Sequence, residues 1–285
     1  MRILATAALL ASLVCFAPGI ASARVTGVAT IGYEHTDFDY DHNSDYYYYD
    51  VDKSDGPSLS AAVAGSLYGD DSHWIVEGEG RLQSSNLKYN DDEEGGSYKE
   101  NAGHAALHVA YRNDSWAVGA FYGMENFYGD DVQEVGIEAQ KYFADATVQA
   151  SAAYGKHDGS YCCDDYESWD VQVNADYYFN DNWSAGASVG YASWDYYSGN
   201  TEMTTVGVSG AYRIPNSNYS VKASYMYGDA SDTYVDYKTN TFQIALVIDL
   251  GNGTAKERDQ EGASLQGADV FDQHWRLWEP SYYAD

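Results

Sequence analysis

Four groups of residues in this chain could do chemistry. His42 and Ser44 stand two apart, so on a strand an imidazole would lie on the same face as a hydroxyl that it could activate as a nucleophile. Asp37, Asp39 and Asp41 alternate as the first acids of a calcium loop do. His42 then stands where the sharp turn needs Gly, and Tyr48 where a bidentate Glu belongs. The three acids are therefore weak metal candidates, suited at most to loosely held Ca²⁺ or Mg²⁺, and no cofactor is expected. His104 and His108 share one face of any strand but lie ~13 Å apart at ~3.3 Å per residue, too far to chelate one ion unaided. Cys162 and Cys163 are adjacent. Two thiols are too few for a closed metal site, and a vicinal disulfide, an intermolecular bond and free thiols all remain open. No phosphate loop, zinc signature or nucleophile elbow occurs elsewhere. Nothing here composes a catalytic centre, and no enzymatic activity is expected.

The elements that would position these residues are clearest at Trp169–Trp194. Trp169, Val171, Val173, Ala175, Tyr177 and Phe179 share one face of an extended strand, and Asp170, Gln172, Asn174, Asp176 and Tyr178 the other. After an Asn180-Asp181-Asn182 turn, Trp183, Ala185, Ala187, Val189 and Tyr191 alternate against Ser184, Gly186, Ser188 and Gly190. An apolar face with an aromatic near each end and small or aliphatic residues between is the pattern of a strand that meets lipid.

The pattern recurs. Candidate strands run over 25–34, 58–68, 74–83, 102–112, 116–125, 134–143, 146–155, 169–179, 183–194, 203–213, 219–227 and 241–250, each near the ~9–11 residues a tilted strand needs to cross a bilayer. Short connections rich in Asn, Asp, Ser and Pro alternate with long ones at 35–57, 84–101, 126–133, 156–168, 195–202 and 228–240. Outward-parity aromatics form two sets. Trp74, Tyr111, Trp116, Phe143, Phe179, Trp183, Tyr212 and Tyr219 lie beside the short turns, and Tyr33, Tyr122, Tyr154, Trp169, Tyr191 and Tyr225 towards the long loops. Lys141 is the misfit on this face, close enough to the lower set to snorkel.

The ends and the charge complete the frame. Arg2, the apolar run Ile3 to Phe16 and Ala21-Ser22-Ala23 read as a secretory signal cleaved after Ala23, so residues 1–23 leave, and Cys15 with them. Residues 24–251 form the barrel and 252–285 a tail. A net charge of −29 makes nucleic acid and anionic surfaces poor partners and cations natural ones.

On alternation, aromatic sets and loop sorting, residues 24 to about 250 resemble bacterial outer-membrane β-barrels of the porin-like kind. The resemblance implies an all-β, antiparallel up-and-down transmembrane barrel of about twelve strands in the outer membrane, short turns facing the periplasm. Such barrels usually end on an aromatic; here Leu250 is followed by the tail. Lipid-hydrolysing barrels of that membrane carry a His and a Ser two residues apart on a strand followed by Asn. His42 and Ser44 resemble them, but Asp45 follows and the surroundings read as a loop.

Parity places Glu77, Glu79, Arg81, His104, His108, Arg112, Glu138, Asp170, Asn174, Asp176, Arg213, Lys222 and Asp249 inside, with small residues between them. A water-containing pore for small hydrophilic solutes, cations favoured, is the expected function. A non-conducting surface barrel whose acidic, Tyr-rich loops bind a partner or divalent ions is the other reading, and the lipid hydrolase a distant third. In the tail, Val270, Phe271, His274, Trp275 and Trp278 follow a possible cap at Asp269 at helical spacing, ended by Pro280. A short periplasmic helix resting on the barrel mouth is expected there, in preference to a plug within the lumen.

Overall fold

The computed structural model describes residues 25–42, 50–67, 72–90, 96–127, 130–158, 166–196, 199–231, 235–251 and 254–268. They form twelve strands: β1 (Val25–His42), β2 (Asp50–Ser66), β3 (Trp74–Asn90), β4 (Gly96–Arg112), β5 (Trp116–Phe127), β6 (Asp130–Tyr142), β7 (Ala146–Asp158), β8 (Tyr166–Tyr178), β9 (Trp183–Tyr196), β10 (Gly199–Arg213), β11 (Tyr219–Ser231) and β12 (Val235–Asp249). One helix, α1 (Ala255–Glu261), follows. Each strand pairs antiparallel with the next, and β12 pairs with β1 from Val28↔Asp249 to His42↔Val235, so the sheet closes.

The register fixes the size of the barrel. Followed across the strands from Tyr40, it passes Tyr237, Met203, Asp170, Gly136 and His108 and returns to β1 at Thr26, fourteen residues below its start. With ~4.8 Å between strands and ~3.3 Å per residue, that stagger tilts the strands by about 40° and gives a backbone radius of about 12 Å. Side chains alone do not fill such an interior.

All twelve expected strands are present, and at the short-turn end each boundary falls within two residues of the expected one. At the other end the strands are longer than expected. β1 runs on to His42, β2 begins at Asp50, β3 runs to Asn90 and β4 begins at Gly96. Tracts 35–57 and 84–101 are thus largely paired strand and not loop. The reason is the change of solvent: above the lipid the outer face need not be apolar, so the alternation loses its contrast while the hydrogen-bonded ladder continues.

The turns follow from their residues. Asn113 Oδ1 accepts from Ser115 N and Trp116 N at 2.8 and 3.0 Å, and Asn180 Oδ1 accepts from Asn182 N and Trp183 N at 2.9 and 3.1 Å. At the β10–β11 turn Asn216 takes φ 58°, a left-handed conformation that Asn tolerates.

The outer surface is apolar and exposed across the middle of the barrel. Ile31, Leu59, Val118, Val135, Ile137, Val171, Val208 and Ile244 all project outward, Ile137 at 67% exposure. Aromatic rings band this surface at both ends. Trp74, Tyr111 and Trp116 touch at 5.7 and 5.4 Å and Trp183 meets Tyr212 at 4.6 Å on the short-turn side. On the other side Tyr154 meets Trp169 at 4.9 Å and Tyr225 meets Phe242 at 4.8 Å. An exposed apolar belt on this scale is stable only against lipid.

Candidate lumenal site and its resident tail

The inner face is divided. On the β3–β6 side it carries ionisable groups that reach across an intervening strand. His108 Nδ1 on β4 lies 3.1 Å from Glu138 Oε1 on β6, and His104 Nε2 lies 3.0 Å from Glu134 Oε1. β5 stands between them, and its inward residues at these levels are Gly119 and Gly123. A Cβ on Gly123 would fall 2.0 Å from Glu134 Oε1, so the pair forms only because that side chain is missing. The other nitrogen of His108, Nε2, faces Glu79 Oε1 at 3.3 Å in ion-pair rather than hydrogen-bond geometry, and its ring stacks on Phe121 at 5.4 Å. The two histidines therefore pair with different carboxylates of β6.

On the β7–β12 side the face is mostly small and uncharged, with a few isolated charges. Gln172, Asn174, Ser184, Ser209 and Gln243, with Asp176 and Lys222, face Ser58, Ser60, Glu79, Arg81 and His104 across a cavity of about 370 Å³. Of the expected inner residues, Glu77, Glu79, Arg81, His104, Asn174, Asp176 and Lys222 line this cavity. His108 and Glu138 are packed behind it, and Asp170 is buried nearer the long-loop end. Arg213 stands apart at the short-turn mouth, where Nε and Nη2 both donate to Ser217 O at 3.2 Å. Asp249, also at that mouth, pairs with Arg258 of α1 at 3.3 Å. Inward acids outnumber inward bases: Glu34, Glu77, Glu79, Glu100, Glu125, Glu134, Glu138, Asp170, Asp176 and Asp249 against Arg81, Arg112, Arg213 and Lys222.

Asp37, Asp39 and Asp41 do not form a loop. They occupy alternate, outward positions of β1 beyond the aromatic band, each ~7 Å from the next, so they cannot close on one ion. Among the described residues no group of three or more His, Cys, Asp or Glu is placed to hold a metal. His42 ends β1; Ser44, Cys162 and Cys163 lie outside the described residues.

Residues Ala255–Glu261 of the tail form α1, and the chain beyond it enters the lumen. A capping box starts the helix: Thr254 Oγ1 accepts from Glu257 N at 3.2 Å, and the Glu257 carboxylate accepts from Thr254 N at 2.6 Å. Lys256 donates to Ala144 O and Gln260 to Phe143 O, so α1 lies against the β6–β7 turn at the mouth. Arg258 bridges Asp259 at 2.8 Å and Asp249. These two carboxylates, Asp259 above all, hold its guanidinium pKa above the usual value against the opposing cost of burial, so it stays charged. Tyr178 Oη donates to Asp259 at 2.8 Å.

Residues 262–268 then run along the inner wall. Arg112 donates to Gly262 O at 2.7 Å and to Ser264 Oγ at 3.2 Å; Gln140 donates to Ser264 O at 2.8 Å and Gln149 to Gln266 O at 2.7 Å. Glu77 Oε2 accepts from Ser264 N and Leu265 N, both at 3.2 Å. Ala263 packs on Ala62 and Ala64, Leu265 on Ile75 and Ala110, and Ala268 on Phe121 and Ala153. The helix expected after Asp269 lies outside the described residues. The sequence did hold one signal for α1, the Thr254-x-x-Glu257 spacing of the capping box.

A second feature escaped sequence reasoning. Above the cavity, Phe38, Leu87, Val132, Trp194, Met203 and Tyr237 are buried on the inner face, Leu87 and Met203 completely. Phe38 stacks on Tyr40 at 6.1 Å, and Tyr40 meets Tyr237 at 5.8 Å. Each of the six continues the inward parity of its strand beyond the upper aromatic band, which was the available clue. These six form an apolar cluster at the long-loop end of the interior, among the inward Glu100 and Glu125.

No family model matches the chain, and no curated protein matches it. Among solved structures, a Pseudomonas aeruginosa FadL homologue superposes with a TM-score of 0.51 at 10% identity, over 79% of this chain and 91% of that one. The beta domain of the Bordetella autotransporter BrkA gives 0.48 at 14% identity, over 79% of this chain and 98% of its own. The CymD monoaromatic hydrocarbon channel gives 0.45 at 12%, over 80% and 89%. The architecture is that of the bacterial outer-membrane β-barrels, the membrane to which the apolar belt and the closed twelve-stranded sheet also assign it.

Proposed function

We propose that the protein is an outer-membrane channel for small hydrophilic solutes that favours cations. The observation that carries this reading is the polar cavity of about 370 Å³ within the barrel, lined by Glu79, Arg81, His104, Asn174, Asp176 and Lys222. Charged groups are stable inside a barrel only with partners or water, and the small residues between them leave room for water. The excess of inward acids lowers the energy of a cation in that space. Outer-membrane lipid is the partner of the apolar belt, the two aromatic bands being its interfacial girdles. A net charge of −29 argues against nucleic acid as a partner.

Planar-bilayer recordings under a KCl gradient test the proposal. Discrete steps with a reversal potential on the K⁺ side are expected, and Glu79→Gln combined with Asp176→Asn should lower the preference for K⁺ at least twofold. Silence at high protein concentration, from wild type and from a variant with its tail displaced, would sink the reading. The tail in the lumen and the apolar cluster above it favour a second reading, a surface barrel that never conducts. That barrel would show no steps under either condition.

A further inference from the structure

We infer that the wall formed by Glu77, Arg112, Gln140 and Gln149 is a binding site for the main chain of an extended peptide, and that residues 262–268 are its exchangeable occupant. Four side chains from β3, β4, β6 and β7 address backbone atoms of the tail. Three donate to carbonyls of Gly262, Ser264 and Gln266, and Glu77 accepts from two successive amides. Glu77 is fully buried, and its Oε2 serves both amides. One contact reads a tail hydroxyl, Arg112 to Ser264 Oγ. Ala263, Leu265 and Ala268 meet apolar wall while Gln266 is exposed to the cavity, and the space against the wall is small: a Cβ on Gly267 would fall 3.0 Å from the Phe121 ring. The ligand class is therefore an extended peptide of small residues, recognised by its amides and carbonyls. The tail holds the site through a tether, at the high effective concentration that a short linker confers. Since it lines one side of the cavity proposed to conduct, its departure would widen the channel. That consequence rests on the channel reading; the binding site itself does not.

The test uses the full chain with the tail evicted by its own substitution. Leu265→Glu places a carboxylate beside Glu77 and against Ile75 and Ala110, and leaves every strand native. Gly267→Trp, which collides with Phe121, is a second eviction variant should the first fold poorly. The probe is a fluorescent synthetic peptide of sequence Gly-Ala-Ser-Leu-Gln-Gly-Ala followed by anisotropy. Binding to either eviction variant at least tenfold tighter than to wild type is expected, and at least tenfold weaker when Arg112→Ala and Gln149→Ala are added. N-methylation of the peptide at its Ser and Leu amides removes the donors to Glu77 and should abolish binding, whereas Leu→Ala in the peptide should cost only a few-fold. Equal binding of the N-methylated peptide, binding to wild type as tight as to the variants, or binding to none of them overturns the inference. Current through Leu265→Glu should exceed that of wild type and fall when the unlabelled peptide is added. If the peptide binds but nothing conducts, the site stands and the channel reading falls. If all conduct alike and the peptide binds none, the channel stands and the site falls.

Discussion

At the scale of the residue, the informative position is His108. It is fully buried between Glu138 at 3.1 Å and Glu79 at 3.3 Å, with Phe121 against its ring. Taking away the imidazole would leave Glu138 without its partner in a site that water does not reach. His108→Leu is expected to destabilise the folded barrel by about 3 kcal/mol, the scale for breaking one member of a buried pair. Adding Glu138→Gln should return most of that loss, because it removes the stranded charge. Urea titrations of barrel refolded into lipid vesicles measure both. A change under ~0.5 kcal/mol in His108→Leu would mean that water already serves these groups, as at an ordinary surface site. The inward parity of His104, His108, Glu134 and Glu138 is legible in the sequence, since a strand repeats every two residues. Their pairing is not. It depends on two glycines of β5 letting β4 and β6 meet, and Gly119 and Gly123 look in the sequence like any other small residues of a barrel wall.

At the scale of the element, the strands and the tail differ in how far they could be read. Lipid imposes an apolar outer face, so the twelve crossings carry strong alternation and were placed correctly at the turn end. Above the membrane that constraint lapses, and the continuation of β1 through Asp37, Asp39 and Asp41 reads as an acidic loop. The lumenal stretch Gly-Ala-Ser-Leu-Gln-Gly-Ala at 262–268 has no periodicity at all, because the wall binds its backbone, and backbone recognition leaves almost no mark in side-chain pattern. Its anchor is α1, seven residues long and too short to persist without its cap. Thr254→Ala removes the acceptor for Glu257 N, at a cost of about 1 kcal/mol. Amide hydrogen exchange over 255–261 should therefore quicken about fivefold while exchange in β6 and β7 stays unchanged. Unaltered exchange in 255–261 would show that Arg258, Tyr178 and Gln260 hold the helix without its capping box.

At the scale of the molecule, the placement in lipid makes a depth-dependent demand on the outer face. Ile137 is 67% exposed near the middle of the apolar belt on β6, and Lys141 projects from the same face of the same strand beside Trp116, at the lower aromatic band. One strand thus offers a site where a lysine is native and, two steps of the alternation higher, a site where none occurs. At mid-depth a lysine has no water within reach of its ammonium, whereas at the band its four methylenes carry the charge out to the headgroups. Ile137→Lys should therefore destabilise the barrel in vesicles by about 2–4 kcal/mol, and Lys141→Ile should change stability by about 1 kcal/mol or less. If water bathed this face, both substitutions would fall within about 0.5 kcal/mol, as exposed surface changes do. The contrast between the two positions, and not either value alone, reports the bilayer. It also bears on the lumen: a wall whose outside is committed to lipid can place its carboxylates only inward or beyond the membrane. The acids of β3, β4 and β6 are therefore gathered within the barrel by the same constraint that strips charge from its outer face.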